Sequence, residues 1–294
     1  MKRKRQVLRL PSLAKINLGL EIVGKREDGY HEVRTLFQTV DLRDTLEFVL
    51  TSSGIISLQG DDPTIPWDEK NLIYRAACLL RERFSVPAGV NIKVKKRIPA
   101  GSGLGGGSSN AAVTLLALNR LWDLRLDLKA LTELARTLGS DVPYFLTGGL
   151  CLGEGRGDII TPLPELPPLP CVIALPSFPI STAEVYQLYD ELSSLTKPPR
   201  AGRIKEFLER RRLAHLENEL ETAVFEAYPG LREVKSLLVE AEAVVSLVSG
   251  TGSSVFGLFW EKESASRAAK VISSRAKAVL TETWPRERYR QFFP

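Results

Sequence analysis

The sequence predicts an α+β protein with two domains. Its 294 residues are about twice the length of an average domain. Several strand patterns precede the first helix pattern, an order typical of α+β proteins and not of a doubly wound parallel sheet. Five prolines between Thr161 and Pro170 exclude a helix or a central strand there. We therefore expect a first domain over residues 1–163 and a second over residues 164–294.

Alternating and continuous apolar runs predict the strands of the first domain. These strands are Val7–Leu10, Ile16–Val23, Val33–Val40, Thr45–Leu50, Ile55–Leu58 and Val90–Lys95. Asp28-Gly29 between two of them is typical of a hairpin turn. Apolar residues at helical spacing predict the three helices Asn71–Phe84, Ser109–Trp122 and Leu128–Leu138, the last ended by Gly139.

The second domain is predicted to begin with a buried strand and to end with a β-α-β pattern. Its predicted strands are Cys171–Leu175, Val244–Val248, Val255–Trp260 and Val279–Thr283. Its predicted helices are Ala183–Leu192, Ile204–Leu213, Leu216–Ala227, Leu231–Ala241 and Lys262–Ala276. A small glycine turn, Ser249–Ser253, separates two of these strands.

Composition indicates an ordinary globular protein, with 44% hydrophobic and 26% charged residues. The net charge of +5 is partly concentrated in two runs, Met1–Arg5 and Lys93–Arg97. Neither run is interleaved with aromatic residues, which disfavours nucleic-acid binding. We expect no signal peptide, because Pro11 and Lys15 interrupt the short apolar stretch after the basic start. We expect no membrane span, because no run of about 18 apolar residues occurs.

The cysteines and histidines exclude two other classes of protein. Cys78, Cys151 and Cys171 are odd in number and lack metal-ligand spacing, which favours a reducing cytoplasm. The two histidines, His31 and His215, are too few and too far apart in the sequence to predict a zinc site.

The stretch from Pro99 to Ala112 carries most of the functional information. Its five glycines let a backbone close around a bulky ligand, and Ser108, Ser109 and Asn110 then open the predicted helix. Unpaired N–H groups and the positive end of a helix dipole meet there, so the loop predicts a polyphosphate site. A flexible linker is the weaker interpretation, because a strand precedes the loop and a helix follows at once.

Other glycine loops fit less well. No lysine follows the glycines as in a Walker A loop, and a helix follows where a protein kinase has a hairpin. Gly101-Ser-Gly-Leu-Gly-Gly106 does fit the dinucleotide pattern, with Asp123 near the position of the ribose-binding acid. However, Asp123 follows a helix instead of closing a second strand, and Pro99 interrupts the strand that should run into the loop. A dinucleotide-dependent oxidoreductase remains an alternative that nucleotide binding would test.

Two charged residues outside the loop are candidates for phosphoryl transfer. Lys15 lies in an otherwise apolar strand entry and could equally be an edge lysine whose charge reaches solvent. Asp141 precedes Pro143, and taken alone its position favours a helix N-cap. Their separation in the sequence leaves open whether they meet.

Three blocks occur in the order found in the GHMP kinase superfamily, which the chain resembles. They are Pro11-Ser-Leu-Ala-Lys-Ile-Asn-Leu-Gly-Leu20, the glycine loop, and Ser249-Gly-Thr-Gly-Ser-Ser-Val-Phe256. Further segments resemble the branch of this superfamily that acts on a cytidine diphosphate-linked methylerythritol in non-mevalonate isoprenoid biosynthesis. These segments are Gly24–Glu32, Lys96–Pro99 and Gly139–Pro143.

The resemblance implies an ATP- and Mg²⁺-dependent kinase with the active site between an N-terminal nucleotide-binding domain and a C-terminal domain. Asp141 matches the catalytic base, and Lys15 matches the lysine beside it. The positions that match the ATP site are Asn71, Lys96, Gly101, Ser102, Gly103, Leu104, Gly105, Gly106, Gly107, Ser108 and Ser109. No residue matches a protein ligand of the magnesium ion.

For the acceptor, the resemblance implies that Tyr30 stacks on the cytosine and His31 bonds to its edge. The other matching positions are Asn17, Phe37, Thr182 and Tyr186. Two residues depart from the family pattern: Glu219 stands where an aspartate is frequent, and Tyr186 where phenylalanine occurs. A different small alcohol as acceptor is the alternative within the superfamily. The resemblance further implies a cytoplasmic monomer or weak homodimer that binds neither nucleic acid nor membrane.

Overall fold

The computed structural model describes residues 7–193 and 202–293, and the predicted basic run Met1–Arg5 lies outside them. The described chain contains two β-sheets, each covered by helices on one face. Most strand pairs in both sheets are antiparallel, and β3 (Ile56–Gly60) and β4 (Gly89–Lys95) form a parallel pair. The predicted α+β class is therefore confirmed.

Two long antiparallel strands form the frame of the first sheet, β1 (Val7–Lys25) and β2 (His31–Thr51). Each was predicted as two separate strands. The structure instead continues through an irregularity of register between Leu13 and Ala14, opposite Arg43 and Val40, so that a bulge replaces both expected breaks. The hairpin turn at Asp28-Gly29 is confirmed, with Gly29 at a φ of 84°.

The remaining strands of this sheet flank β2 on both sides. The strand order is β3-β4-β2-β5-β6, with β1 also paired to β2, β5 at Leu150–Glu154 and β6 at Ile159–Pro162. Neither β5 nor β6 was predicted, because both are short and glycines flank or interrupt them. Helices α1 (Leu72–Arg83), α2 (Gly106–Leu121) and α3 (Leu128–Leu138) and the short α4 (Tyr144–Thr147) pack with this sheet around one core.

The second sheet has the strand order β10-β7-β9-β8. Its strands are β7 (Pro170–Leu175), β8 (Val245–Val248), β9 (Val255–Leu258) and β10 (Lys277–Glu282). The helices of this half are α5 (Thr182–Ser193), α6 (Arg203–Arg210), α7 (Glu221–Ala227), α8 (Gly230–Glu240) and α9 (Lys262–Ile272). Apolar side chains between the two sheets form a shared core.

The predicted helix Leu216–Ala227 is wrong in its first part, because α7 begins only at Glu221. Residues before it pair with β1 instead: the Leu20 N–H donates to the Glu217 carbonyl at 3.0 Å, and the Glu219 N–H to the Leu20 carbonyl at 3.0 Å. Similarly, α9 ends at Ile272, four residues before its predicted end at Ala276.

The last described residues return to the first sheet. The Trp284 N–H donates to the Thr39 carbonyl at 2.9 Å, and α10 (Arg286–Arg290) places the Tyr289 hydroxyl 2.5 Å from the Phe145 carbonyl oxygen. Residues 283–293 thus pack with the first sheet although the predicted second domain includes them. No helix or strand was predicted for residues 284–293.

Candidate active site

A cleft of about 980 Å³ lies between the two halves of the molecule. Elements from both halves line it: β1, β2, the start of α2, the segment after α3, α5 and the turn after β8. Eleven of the predicted site residues line this cleft: Lys15, Asn17, Tyr30, His31, Phe37, Gly103, Gly105, Ser108, Asp141, Thr182 and Tyr186.

Lys15 and Asp141 meet at this cleft. The ammonium nitrogen of Lys15 lies 3.3 Å from Oδ2 of Asp141, and it donates a hydrogen bond to Oδ1 of Asn17 at 2.6 Å. The Lys15 side chain is 4% exposed, whereas that of Asp141 is 30% exposed. Because Lys15 is buried, the alternative that it is an edge lysine with its charge in solvent is wrong. The partly exposed carboxylate of Asp141 lines the cleft, where a ligand can enter.

Asp141 is not a helix cap. The helix after it, α4, has Pro143 at its N-cap position and no side-chain cap hydrogen bond. The segment that presents Asp141 is instead a turn after α3, closed by a hydrogen bond from the Val142 N–H to the Gly139 carbonyl at 3.2 Å. The capping interpretation is therefore wrong, and the carboxylate is available for chemistry.

The glycine loop ends at an uncapped helix N-terminus. Gly101, Gly103 and Gly105 adopt positive φ angles of 63°, 77° and 70°. Helix α2 begins at Gly106, three residues before its predicted start, and Gly105 as its N-cap supplies no side-chain acceptor. The N–H groups of the first helical turn have no intrahelical partner. Together with the helix dipole, they form a cradle that suits phosphate oxygens.

The turn Ser249–Ser253 holds the loop in place. The Ser249 hydroxyl donates to the Gly103 carbonyl at 2.9 Å, and the Ser254 N–H to the Ser102 carbonyl at 3.1 Å. A Cβ atom on Gly103 would come within 2.0 Å of the Ser249 carbonyl oxygen, so only glycine fits there. Gly250 and Thr251 also line the cleft. This turn was predicted, but none of its residues was predicted to belong to the site.

Several predicted ATP-site side chains have structural partners instead of facing the cleft. Leu104 is buried in the core between the sheets, and the Ser109 hydroxyl accepts from Ser12 at 2.7 Å. The Ser102 hydroxyl donates to the Pro99 carbonyl at 2.8 Å. These side chains fix the loop, so the loop groups left to meet a nucleotide are those of the backbone and of Ser108, which lines the cleft.

Asn71 and Lys96 lie beside the glycine loop with their polar groups occupied. Asn71 caps α1, accepting from the Ile73 N–H at 3.0 Å. The Lys96 ammonium forms an ion pair with the fully buried Asp44. It remains close to the loop, because a Cβ atom on Gly106 would lie 3.3 Å from it.

At the other end of the cleft, His31 is held between a carboxylate and an aromatic ring. Its Nε2 lies 2.7 Å from Oδ1 of Asp190, and its ring stacks on that of Tyr186 at a centroid distance of 4.8 Å. Burial acts to raise the pKa of Asp190, but hydrogen bonds from Lys25 and His31 outweigh it and hold that pKa below its ordinary value. Because a carboxylate can only accept, Nε2 carries a proton, and Nδ1 is an acceptor in the neutral ring. Asp190 was not predicted as a site residue, because it is distant from His31 in the sequence.

The other predicted acceptor residues differ in exposure. Tyr30 is 57% exposed, with the Arg156 guanidinium 5.0 Å from its ring centroid. Asn17 is buried and donates to the Thr35 hydroxyl at 2.7 Å, a contact between two strands that no local sequence pattern indicates. Thr182 contacts Thr251 through their hydroxyls at 3.1 Å. Burial, with a contribution from the Asp141 charge, raises the pKa of Tyr186, which therefore stays a neutral hydroxyl.

Within residues 7–193 and 202–293, no group of three or more His, Cys, Asp or Glu side chains is arranged to hold a metal ion. In the same ranges, no helix combines the length and apolar character needed to cross a bilayer. The three cysteines are free thiols.

Comparison with known families and proteins matches both halves of the chain. The family described as GHMP kinases N terminal domain matches residues 71–149, and the family described as GHMP kinases C terminal matches residues 194–278. A relative from Pelotomaculum thermopropionicum, named 4-diphosphocytidyl-2-C-methyl-D-erythritol kinase, is 43% identical over 92% of this chain and 96% of its own length. A relative of the same name from Caldicellulosiruptor bescii is 38% identical over 94% of this chain and 98% of its own.

Solved structures agree with these matches. A crystal structure described as 4-(cytidine 5'-diphospho)-2C-methyl-D-erythritol kinase is 39% identical and superposes with a TM-score of 0.80, covering 94% of this chain and 99% of the other. A homoserine kinase from Cytophaga hutchinsonii, at 19% identity and a TM-score of 0.75, shares the fold over 97% of this chain and 96% of its own. With both domain families matched in order and relatives aligned over nearly their whole length, the chain belongs to the GHMP kinase family.

Proposed function

We propose that the protein transfers the γ-phosphoryl group of ATP to the 2-hydroxyl of 4-diphosphocytidyl-2-C-methyl-D-erythritol, a step of non-mevalonate isoprenoid precursor biosynthesis. The observation that carries the proposal is the Lys15–Asp141 pair, with an uncapped glycine loop and a pocket of aromatic side chains lining the same cleft. The names of relatives aligned over nearly their whole length support the choice of acceptor.

In this proposal, Asp141 is the general base. Its partly exposed carboxylate accepts the proton of the acceptor hydroxyl as that oxygen attacks phosphorus. Lys15 stabilises the negative charge that develops on the hydroxyl oxygen, because its buried ammonium is fixed by Asn17 and lies beside the carboxylate. General base catalysis of this kind contributes roughly a factor of 10²–10⁴.

Membership of the family implies that ATP is the phosphoryl donor, and bound ATP supplies the group that is transferred. We propose that the loop and the first turn of α2 bind its phosphates. The proposed contacts are Gly101, Ser102, Gly103, Leu104, Gly105, Gly106, Gly107, Ser108 and Ser109, with Asn71 and Lys96 near the nucleotide. The uncapped helix N-terminus fits such an anion.

Magnesium enters the proposal as a companion of ATP. Mg²⁺ is commonly bound by substrate phosphates and water together with one or two carboxylates. Binding of Mg²⁺ with ATP therefore does not require a cluster of three or more metal-binding side chains, and none occurs among the described residues. We assign it no protein ligand.

For the acceptor, we propose that Tyr30 and Tyr186 flank the cytosine and that His31 binds its edge. An acceptor at Nδ1 suits the exocyclic amino group of cytosine and not the carbonyl that uracil has there. Asn17, Phe37 and Thr182 line the remainder of the acceptor site. All six side chains line the same cleft as Asp141.

The wider setting of the enzyme is also proposed. Residues 1–163 would form the ATP-binding domain and residues 164–294 the C-terminal domain, with the active site between them. We propose a cytoplasmic enzyme, monomeric or weakly dimeric, that acts on small molecules and not on nucleic acid.

The test is ATP consumption against a panel of acceptors. We expect ADP release with the cytidyl substrate and not with mevalonate, homoserine or galactose. Turnover with one of those alcohols and none with the cytidyl substrate contradicts the proposed acceptor. Binding of a nicotinamide dinucleotide without binding of ATP contradicts the kinase assignment itself.

A further inference from the structure

We infer that Arg136 and Arg156 bind the diphosphate of the acceptor and thereby select a nucleoside diphosphate over the free nucleoside. The inference rests on the proposed function and deepens it. The aromatic residues account for the base, and Lys15 and Asp141 for the reacting hydroxyl. No residue so far described accounts for the two phosphates between them.

The cleft is lined by more positive than negative side chains, and the excess positive charge belongs to these two arginines. Its lining includes four lysines and arginines, Lys15, Lys25, Arg136 and Arg156, and two carboxylates, Asp141 and Asp190. Asp141 pairs with Lys15, and Asp190 pairs with Lys25 at 2.6 Å. The positive charge that the cleft carboxylates leave unmatched is therefore that of Arg136 and Arg156.

The contacts of the two guanidinium groups with other residues leave each group partly available. Arg156 approaches Asp158 only at 3.8 Å and is 33% exposed. Arg136 donates to Glu133 at 3.1 Å on the outer side of α3 and is 34% exposed. A guanidinium has five N–H donors, so each of them can still present two to a phosphate.

One turn connects both arginines. The Nε of Arg136 donates to the Asp158 carbonyl at 3.3 Å. The Asp158 carboxylate accepts from the backbone N–H of Arg156 at 3.1 Å. Arg156 lies over the Tyr30 ring, at the proposed base end of the cleft. Arg136 belongs to the last turn of α3, which leads directly to Asp141. The pair therefore lies along one wall between the base end and the reacting end.

This arrangement matches the chemistry of a diphosphate. Two adjacent phosphates carry at least two negative charges, and planar guanidinium forks bind phosphate oxygens in bidentate fashion. Lysine residues cannot reproduce this geometry, so the choice of arginine at both positions suits phosphate recognition.

The test is calorimetric binding of CDP and of cytidine to the full-length protein. For the unaltered protein, we expect CDP to bind at least about tenfold more tightly than cytidine. Arg136→Met and Arg156→Met should each weaken CDP binding about 10- to 100-fold and leave cytidine binding within about twofold. Arg34→Met is the matched control, because Arg34 pairs with Glu154 at 3.5 Å outside the cleft; it should change neither affinity.

The outcomes separate this inference from the proposed function. Equal losses for CDP and cytidine would mean that the arginines shape the pocket and do not bind phosphate, which overturns the inference. Retention of the CDP preference in both variants overturns it too, while the acceptor panel still supports the proposed function. If the unaltered protein does not prefer CDP to cytidine, the inference is wrong. The acceptor panel then tests separately whether the proposed function is also wrong. A melting temperature within a few degrees of the unaltered protein confirms that each variant is folded.

Discussion

Lys15 and Asp141 form an ion pair of unequal partners, 3.3 Å apart, with the lysine buried and the aspartate open to the cleft. Lys15 is fixed from behind: its ammonium donates to Asn17, and its backbone N–H donates to the Leu104 carbonyl in the glycine loop at 3.0 Å. Asp141 lies on a turn and does not cap a helix. The pair therefore combines a rigid cation with a carboxylate that can reach an incoming hydroxyl, which is the division of roles that proton transfer needs.

The first prediction concerns Asp141→Asn. The amide has nearly the same shape as the carboxylate but cannot accept the proton, so turnover should fall roughly 10²- to 10⁴-fold. The KM for ATP and the melting temperature should change little. Steady-state kinetics and thermal unfolding of the purified variant measure all three quantities.

Asp127→Ala is the matched control. Asp127 does cap a helix, accepting from the Ala130 N–H at the start of α3 at 2.8 Å. Its loss should cost about 0.5–2 kcal/mol of unfolding free energy and leave turnover intact. If Asp141→Asn behaves like this control, Asp141 has a structural role only.

The second prediction concerns Tyr30. A stacked base contributes about 1–3 kcal/mol in nucleic-acid-binding proteins, so Tyr30→Ala should raise the KM of the cytidyl acceptor about 10- to 100-fold. Tyr30→Phe should be mild, because the ring face stacks and the hydroxyl does not. The KM for ATP serves as the internal control. A variant that loses melting temperature while both KM values stay unchanged would show that Tyr30 only completes the hairpin.

The elements whose pattern is strong in the sequence were predictable. Helix α1 and strand β4 were each predicted to within one residue at either end, because their apolar periodicity is clear. The glycine loop and the helix that follows it were predictable for the same reason. The start of α2 was placed three residues late, since serine normally caps helices whereas here Gly105 does so in the left-handed conformation.

What depends on tertiary contacts could not be predicted. Nothing in the segment around Asp190 indicates that its carboxylate meets His31, because the two lie on different elements. The residues before α7 read as helical but pair with Leu20 of β1, a distant partner that overrides local propensity. The last residues have no strong period, and their position is determined by contacts of Trp284 and Tyr289 with the first sheet.

The third prediction concerns Lys96, whose ammonium lies beside the glycine loop but is paired with Asp44. Asp44 is fully buried and also accepts from the Arg97 and Ile98 N–H groups at 2.7 and 2.9 Å. Lys96→Met leaves that carboxylate without its cation, which should cost about 3–5 kcal/mol of unfolding free energy. Denaturant titration measures this loss.

The double variant Lys96→Met with Asp44→Asn is the control, because it removes both charges. It should be more stable than the sum of the two single changes predicts, with a coupling of about 1 kcal/mol or more. If Lys96→Met instead left stability unchanged and raised the KM for ATP, the ammonium would have to contact a phosphate.

The last prediction concerns pH and Glu219, one of the two residues that depart from the family pattern. Burial raises the pKa of Glu219, although its Oε2 accepts a hydrogen bond from the Ile22 N–H at 2.7 Å. The folded state therefore binds this proton more readily than the unfolded chain does. The stabilisation from the protonated group is present below the unfolded pKa and is lost as pH rises through the folded pKa.

Glu219→Gln stays neutral and can still accept from Ile22, so it should melt higher than the unaltered protein by about 2 °C near pH 8 and by less near pH 5. Glu240→Gln, at an exposed position on α8, should show no such pH-dependent difference. Scanning calorimetry at both pH values decides the matter: a difference that shrinks as pH rises would mean that the Glu219 carboxylate is stabilised, not penalised, by its surroundings.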